Sequence, residues 1–105
     1  MSNWQKQAAQ FAQKHNLIRP SSVYALDLMS ELGEIAKEIL LATNYGTHPA
    51  QYRPELAAEL GDALYSLCLL AETAGVDLDQ ALRDTLQKYE QRWQNHGHPG
   101  NIEKS

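Results

Sequence analysis

Cysteine is almost missing from this chain: Cys68 is the only one. An internal disulfide and any multi-cysteine metal site are thereby excluded. Cys68 falls at an apolar position of a helical pattern, which predicts a buried, inert thiol. Basic runs are missing too, and the net charge is −4. That argues against a nucleic acid polymer as partner, because such binding needs a positive face. No apolar run reaches the roughly 18 residues that span a membrane, and the first residues carry no signal-peptide pattern. The expectation is a soluble, cytoplasmic protein with no membrane partner. Strand patterns, low-complexity segments and internal repeats are also lacking. None of the four histidines lies three residues after a glutamate. The Glu-x-x-His pairs of carboxylate-bridged di-iron bundles are therefore not available. With 105 residues there is too little chain for a second core, so residues 1–105 are expected to form a single domain. A chain of this size buries only about two-thirds of its surface, and packing against another copy would help it.

Helical periodicity is what the chain does have. Trp4, Ala8, Phe11 and Ala12 predict a short helix over residues 3–15, with Ser2 or Asn3 as cap and His15-Asn16 as its end. Ser21 or Ser22 is the expected cap of a second helix, which runs to Ala42 or Thr43 and stops at Asn44-Tyr45-Gly46. Residues 44–53 read as the main loop. A third helix opens near Pro54 and closes at Gly75. Asp77 and Gln80 resemble a capping box for a fourth, whose apolar face includes Leu82, Leu86, Tyr89 and Trp93. Gly97 and Pro99 should end it, leaving 98–105 as a loose tail. The expected fold is all-α: two long antiparallel central helices flanked by shorter ones, with a core over about 22–93.

Two acidic pairs stand on the central helices. Glu31-Leu-Gly-Glu34 lies within the stripe Asp27, Glu31, Glu34, Glu38. Glu59-Leu-Gly-Asp62 lies within the stripe Glu55, Glu59, Asp62, Ser66. A helix turns about 100° per residue, so acids at i and i+3 share a face. Each stripe runs beside an apolar row: Leu28, Leu32, Ile35 and Ile39 on the first helix, Leu56, Leu60, Ala63 and Leu67 on the second. If these rows pack together, the acids border one groove and repel each other unless a cation lies between them. Oxygen-only ligands suit Mg²⁺, with Mn²⁺ as substitute. One such pair alone is most often a solvated helix face. Two, each with a glycine before its second acid, are harder to dismiss, because glycine costs about 1 kcal/mol inside a helix. Close helix approach is one reason for Gly33 and Gly61.

A groove of metal-bound carboxylates suits a polyphosphate, with the metal offsetting charge at phosphate oxygens. Lys88 and Arg92, four apart on the last helix, could hold the remaining phosphate charge. Asp84, one turn earlier, could instead pair with Lys88. Tyr45 and Tyr52 flank the loop between the acidic helices and, with Trp4, are candidates to stack on a base, although most helical aromatics are core. His48 lies in the same loop. No histidine is placed for a nucleophilic triad.

Glu31-Leu-Gly-Glu34 followed by Glu59-Leu-Gly-Asp62 resembles the signature of the MazG-like all-α nucleoside triphosphate pyrophosphohydrolases. Gly75-Val-Asp-Leu-Asp-Gln-Ala-Leu is similar to that family's turn before the last helix. Lys88-Tyr-Glu-Gln-Arg92 is similar to its closing basic motif. The likeness covers about residues 22–93. It implies cleavage of an NTP or dNTP between the α and β phosphates, giving a monophosphate and pyrophosphate, in nucleotide-pool house-cleaning. It implies Mg²⁺ on Glu31, Glu34, Glu59 and Asp62, with Glu34 and Glu31 as catalytic candidates, Glu34 to orient or deprotonate the attacking water. Glu38 becomes a candidate outer or additional ligand, and Lys88 and Arg92 hold the triphosphate. A homodimer or homotetramer built from four-helix bundles is also implied. Two alternatives compete: a phosphoribosyl-ATP pyrophosphohydrolase-like enzyme, and a non-catalytic helical oligomerisation or nucleotide-binding module.

Overall fold

The computed structural model describes residues 3–97. The tail at 98–105, the stop at Pro99 and the cap at Ser2 lie outside the described residues. The described residues form four helices and no strand: α1 Asn3–Lys14, α2 Ser21–Ala42, α3 Glu55–Thr73 and α4 Leu78–His96. At 22 residues, α2 is about 33 Å long. The expected short last helix is corrected: α4 has 19 residues, as many as α3. Its apolar pattern continues past Leu86 through Tyr89 to Trp93, and nothing breaks it before Gly97.

Local chemistry explains the ends. Asn16, with φ 55°, closes α1, and the Leu17 amide donates to the Ala12 carbonyl at 2.7 Å. Asn44, Tyr45 and Gly46 are all left-handed after α2. The Thr43 hydroxyl braces that turn by donating to the Ile39 carbonyl at 2.9 Å and accepting from the Gly46 amide at 2.9 Å. Gly75, with φ 73°, ends α3, where the Val76 amide donates to the Ala71 carbonyl. Asp77 caps α4 by accepting from the Asp79 amide at 3.0 Å. Gln80 does not close the box; its side chain donates to Asp84 and accepts from Arg83. The serine caps expected for α2 are also corrected. Pro20 is the cap residue and makes no side-chain cap bond. Ser21 is already helical, because proline's fixed φ and missing N–H suit the helix entrance.

α2 and α3 form an antiparallel hairpin. Their seam follows alternating steps of three and four: Tyr24, Leu28, Glu31, Ile35, Glu38 and Ala42 face Leu56, Glu59, Ala63, Ser66 and Leu70, all buried or half-buried. Such spacing is the knobs-into-holes register. The expected packing is therefore shifted by part of a turn. Leu28, Ile35, Leu56 and Ala63 go inward with three of the acids, while Leu32, Ile39, Leu60 and Leu67 are exposed. Gly33 and Gly61 have no neighbour within 4 Å of where a Cβ would lie. Close helix approach within the chain is thus not their explanation.

The tight core sits where α1 crosses the hairpin: Ala8, Ala12, Tyr24, Cys68 and Leu69. Burial pushes the Cys68 thiol up, as expected of an inert cysteine. The Tyr24 hydroxyl donates to the Leu17 carbonyl at 2.6 Å and accepts from the Arg19 amide at 2.9 Å, which ties the α1–α2 link to the core. Gln5 does the same for the α3–α4 turn. Its amide donates to the Val76 carbonyl at 2.7 Å and to Glu72 at 3.2 Å, and its oxygen accepts from the Leu78 amide at 2.9 Å.

Gln5 is 1% exposed, and truncating it removes the partner of the part-buried Val76 carbonyl and Leu78 amide. Gln5→Ala should lower unfolding free energy by about 2–4 kcal/mol, measured by urea denaturation. A loss under ~1 kcal/mol would mean that water replaces the amide freely.

Candidate metal centre

The hairpin register builds the site. As numbers rise along α2 they fall along the facing stretch of α3, so Glu31 comes opposite Glu59 and Asp62. One carboxylate oxygen from each of these three lies within 4.8 Å of the others. Oxygens on opposite sides of an octahedral Mg²⁺ are about 4.1 Å apart. Small side-chain movements would therefore let all three reach one ion, and an all-oxygen donor set fits Mg²⁺ or Mn²⁺. Glu31 and Glu59 are half-buried and Asp62 is exposed, which leaves the site open on one side.

Electrostatics point the same way. Partial burial pushes the Glu59 carboxyl above its ordinary range, and the charges of Glu34, Glu31, Asp62 and Glu38 push it further. Every charge in that set is negative. Glu34 is exposed and stands outside the three-residue cluster, yet it leads the charges acting on Glu59.

Glu38 has another partner. It is buried, and its Oε1 lies 3.3 Å from Arg53 Nε, which also pairs with Glu55 at 3.5 Å. The sequence reading missed Arg53. The signal was in the register: carrying the Glu31–Asp62 pairing two turns along sets Glu38 opposite Glu55, with Arg53 just before it. This guanidinium neutralises the loop end of the acidic seam, whereas the Glu31 end has no such cation in the seam among the described residues.

The other candidates scatter. Trp4 lines an apolar recess of about 380 Å³ with Phe11, Leu64, Tyr65 and Gly61. Gly61 immediately precedes Asp62 in sequence but lies about 100° from it around the helix. Phe11 meets Tyr65 edge-on at 6.0 Å. Tyr45 and Tyr52 are exposed, while His48 lines a separate recess with Asn44 and Arg53. His15 and His96 are exposed, and His98 lies outside the described residues. Lys88 is exposed, with Nζ 5.6 Å above the Tyr89 ring, and Arg92 is half-buried. Asp84 accepts from Gln80 at 2.9 Å.

No helix among the described residues is long and apolar enough to cross a membrane. The family model described as the MazG nucleotide pyrophosphohydrolase domain matches residues 19–97. Among curated proteins and solved structures, none matches the chain significantly. The matched segment contains all four motif acids together with Lys88 and Arg92.

The raised Glu59 carboxyl sets a pH dependence. The unfolded chain ionises this group first as pH rises, so the folded state carries a growing penalty above the ordinary carboxylate range of about 4.3. Glu59→Gln should therefore raise the melting temperature of the metal-free protein at pH 7, and the gain should vanish near pH 4. Divalent metal should reverse the order at pH 7 by stabilising the native chain more than the variant. Thermal denaturation with and without Mg²⁺ tests both signs.

Proposed function

This chain belongs to the MazG nucleotide pyrophosphohydrolase family, and on that premise we propose that it cleaves nucleoside triphosphates, NTP or dNTP, between the α and β phosphates. The products are a nucleoside monophosphate and pyrophosphate. The observation that carries this reading is the convergence of Glu31, Glu59 and Asp62 within 4.8 Å, inside the segment the family model matches.

Glu31, Glu59 and Asp62, joined by Glu34 from the rim, hold Mg²⁺, or Mn²⁺ in its place. A bound divalent ion supplies positive charge to phosphate oxygens as the anhydride breaks. The protein's own part is to fix geometry and to handle the proton. Water adds across the α–β anhydride, one P–O bond forms as another breaks, and pyrophosphate leaves. Glu34 is the proposed acceptor of the water's proton, since it is exposed and borders the cluster. Glu31, fixed in the seam, keeps the reacting groups in register. Glu38 supports the centre from outside through its ion pair with Arg53 rather than as a ligand. Lys88 and Arg92 hold the triphosphate. Trp4 is the best placed of the base-contacting candidates, because its recess offers an apolar slot beside Gly61; Tyr45 and Tyr52 would reach a base only from the loop. The working form is a homo-oligomer, dimer or tetramer, and the role is removal of surplus or damaged nucleotides in the cytoplasm.

Pyrophosphate and monophosphate release should be measured with Mg²⁺ across NTPs and dNTPs, with phosphoribosyl-ATP in the same panel. The expected outcome is release that chelator abolishes and that Glu59→Gln lowers on the order of 100-fold or more in kcat/KM. Turnover of phosphoribosyl-ATP alone would transfer the chemistry to that substrate. A folded protein that neither hydrolyses nor is stabilised by Mg²⁺ and nucleotide would be an interaction module.

A further inference from the structure

Arg53 stands just before α3, and its backbone is held from both sides. The Leu56 amide donates to the Arg53 carbonyl at 3.1 Å, in the first turn of the helix. Two residues earlier, the Gln51 amide donates to the Ala42 carbonyl at 2.8 Å, which ties the loop to the last turn of α2. Glu38 lies four residues before Ala42 and shares its face, one turn back along the seam. The arginine side chain is thereby carried across the loop end of the hairpin onto Glu38.

The contact it makes has the form of a bridging cation. Its Nε lies 3.3 Å from a carboxylate oxygen of Glu38 on α2 and 3.5 Å from one of Glu55 on α3. The Glu38 side chain is nine-tenths buried, and the Oε1 atom that faces Arg53 accepts no hydrogen bond. The pairing is therefore one of charge rather than of a directed hydrogen bond. A carboxylate buried this far needs a positive charge against it. A divalent ion would meet the same need. Carboxylates of both helices converge at this point, with Glu34 and Glu59 one turn from Glu38 and Glu55, and every donor is an oxygen. The arginine also borders a loop recess of about 610 Å³ with Asn44, His48 and Gln51, which gives ions a route to the place that its side chain fills.

This place is separate from the acid cluster. Glu38 is seven residues from Glu31, about 10.5 Å along the helix, and it stands outside the cluster of Glu31, Glu59 and Asp62. The seam thus has two positions for a cation, and the chain fills one of them itself.

Resting on the metal reading proposed above, we infer that Arg53 is a positioning residue that acts as a resident cation. It fills the loop end of the seam and restricts divalent metal to the Glu31, Glu59 and Asp62 end. Without its charge, Glu38 and Glu55 would take a further divalent ion. One side chain therefore sets how many ions the seam holds and at which end of the hairpin a phosphate can meet them.

Counting bound Mn²⁺ tests this, with the metal alone and no nucleotide. Free Mn²⁺ is followed by electron paramagnetic resonance as each protein is titrated. Arg53→Met should bind one more ion per chain than the native protein. Arg53→Lys keeps the charge and should keep the native count. Arg53→Met/Glu38→Gln removes the acid with its partner and should return to that count. A pairing that only braces the loop would lower the melting temperature of Arg53→Met and leave the count unchanged, which would overturn the inference. An extra ion in the double variant would also overturn it, because Glu38 would not be its ligand. Should Arg53→Met fail to fold in metal-free buffer, it is refolded in Mn²⁺ and followed by circular dichroism. Recovery with the extra ion bound supports the inference, and no recovery, while the double variant folds, refutes it. Native protein that binds no Mn²⁺, beside an Arg53→Met that binds one ion, would remove the proposed centre and leave the role of Arg53 standing. Native protein that binds metal and hydrolyses nucleotide, beside an Arg53→Met of equal count, would keep the proposed function and overturn this inference alone.

Discussion

Carboxylates in a helix–helix seam are the constraint that organises this molecule. A seam at three-four spacing normally takes aliphatic side chains. Here Glu31, Glu38 and Glu59 occupy it. Like charges at such positions cost stability unless something neutralises them. The chain answers at one end with Arg53, which lies against Glu38 and Glu55. At the other end, around Glu31, Glu59 and Asp62, it supplies no cation of its own among the described seam residues. That asymmetry leaves one end of the hairpin ion-paired and the other as the acidic cluster proposed above to hold a divalent ion.

The core is placed to hold such a seam together. Ala8, Ala12, Tyr24, Cys68 and Leu69 lie away from the 44–53 loop, where α1 braces the hairpin. Small residues dominate, and the larger polar ones, Tyr24 and Gln5, act through hydrogen bonds to link segments. This core is modest, and it leaves the apolar side of α2–α3 and the length of α4 uncovered. Surface of that kind is what a single small chain cannot bury for itself. The exposed rows run along three helices rather than being scattered.

Much of the site was legible before any coordinates. The stripes placed Glu31, Glu34, Glu59 and Asp62 along one groove if the apolar rows packed together; the acids themselves entered the seam, and Glu31, Glu59 and Asp62 come within 4.8 Å of one another. Glu34 shares their stripe by periodicity but stands outside the three-acid cluster. Arg53 was not legible as a partner, since nothing local to Arg53-Pro54 points to a glutamate fifteen positions earlier. The helix ends at Asn16, Asn44 and Gly75 followed from turn chemistry. The cap of α2 did not, because proline and serine offer competing starts one residue apart.

The sequence by itself determined four helices, their approximate ends, which residues share a stripe, and an acidic pair on each central helix. Those are local matters, decided by a 3.6-residue period and by the backbone preferences of proline, glycine and asparagine. Only the tertiary structure decided which stripe became the seam. On both α2 and α3 the acidic and apolar rows are neighbours, separated by part of a turn. Either row could face inward on its own helix. The choice depends on both helices at once and on the register between them. It sent Leu28 and Ile35 inward with Glu31 and Glu38, and left Leu32 and Ile39 to the surface.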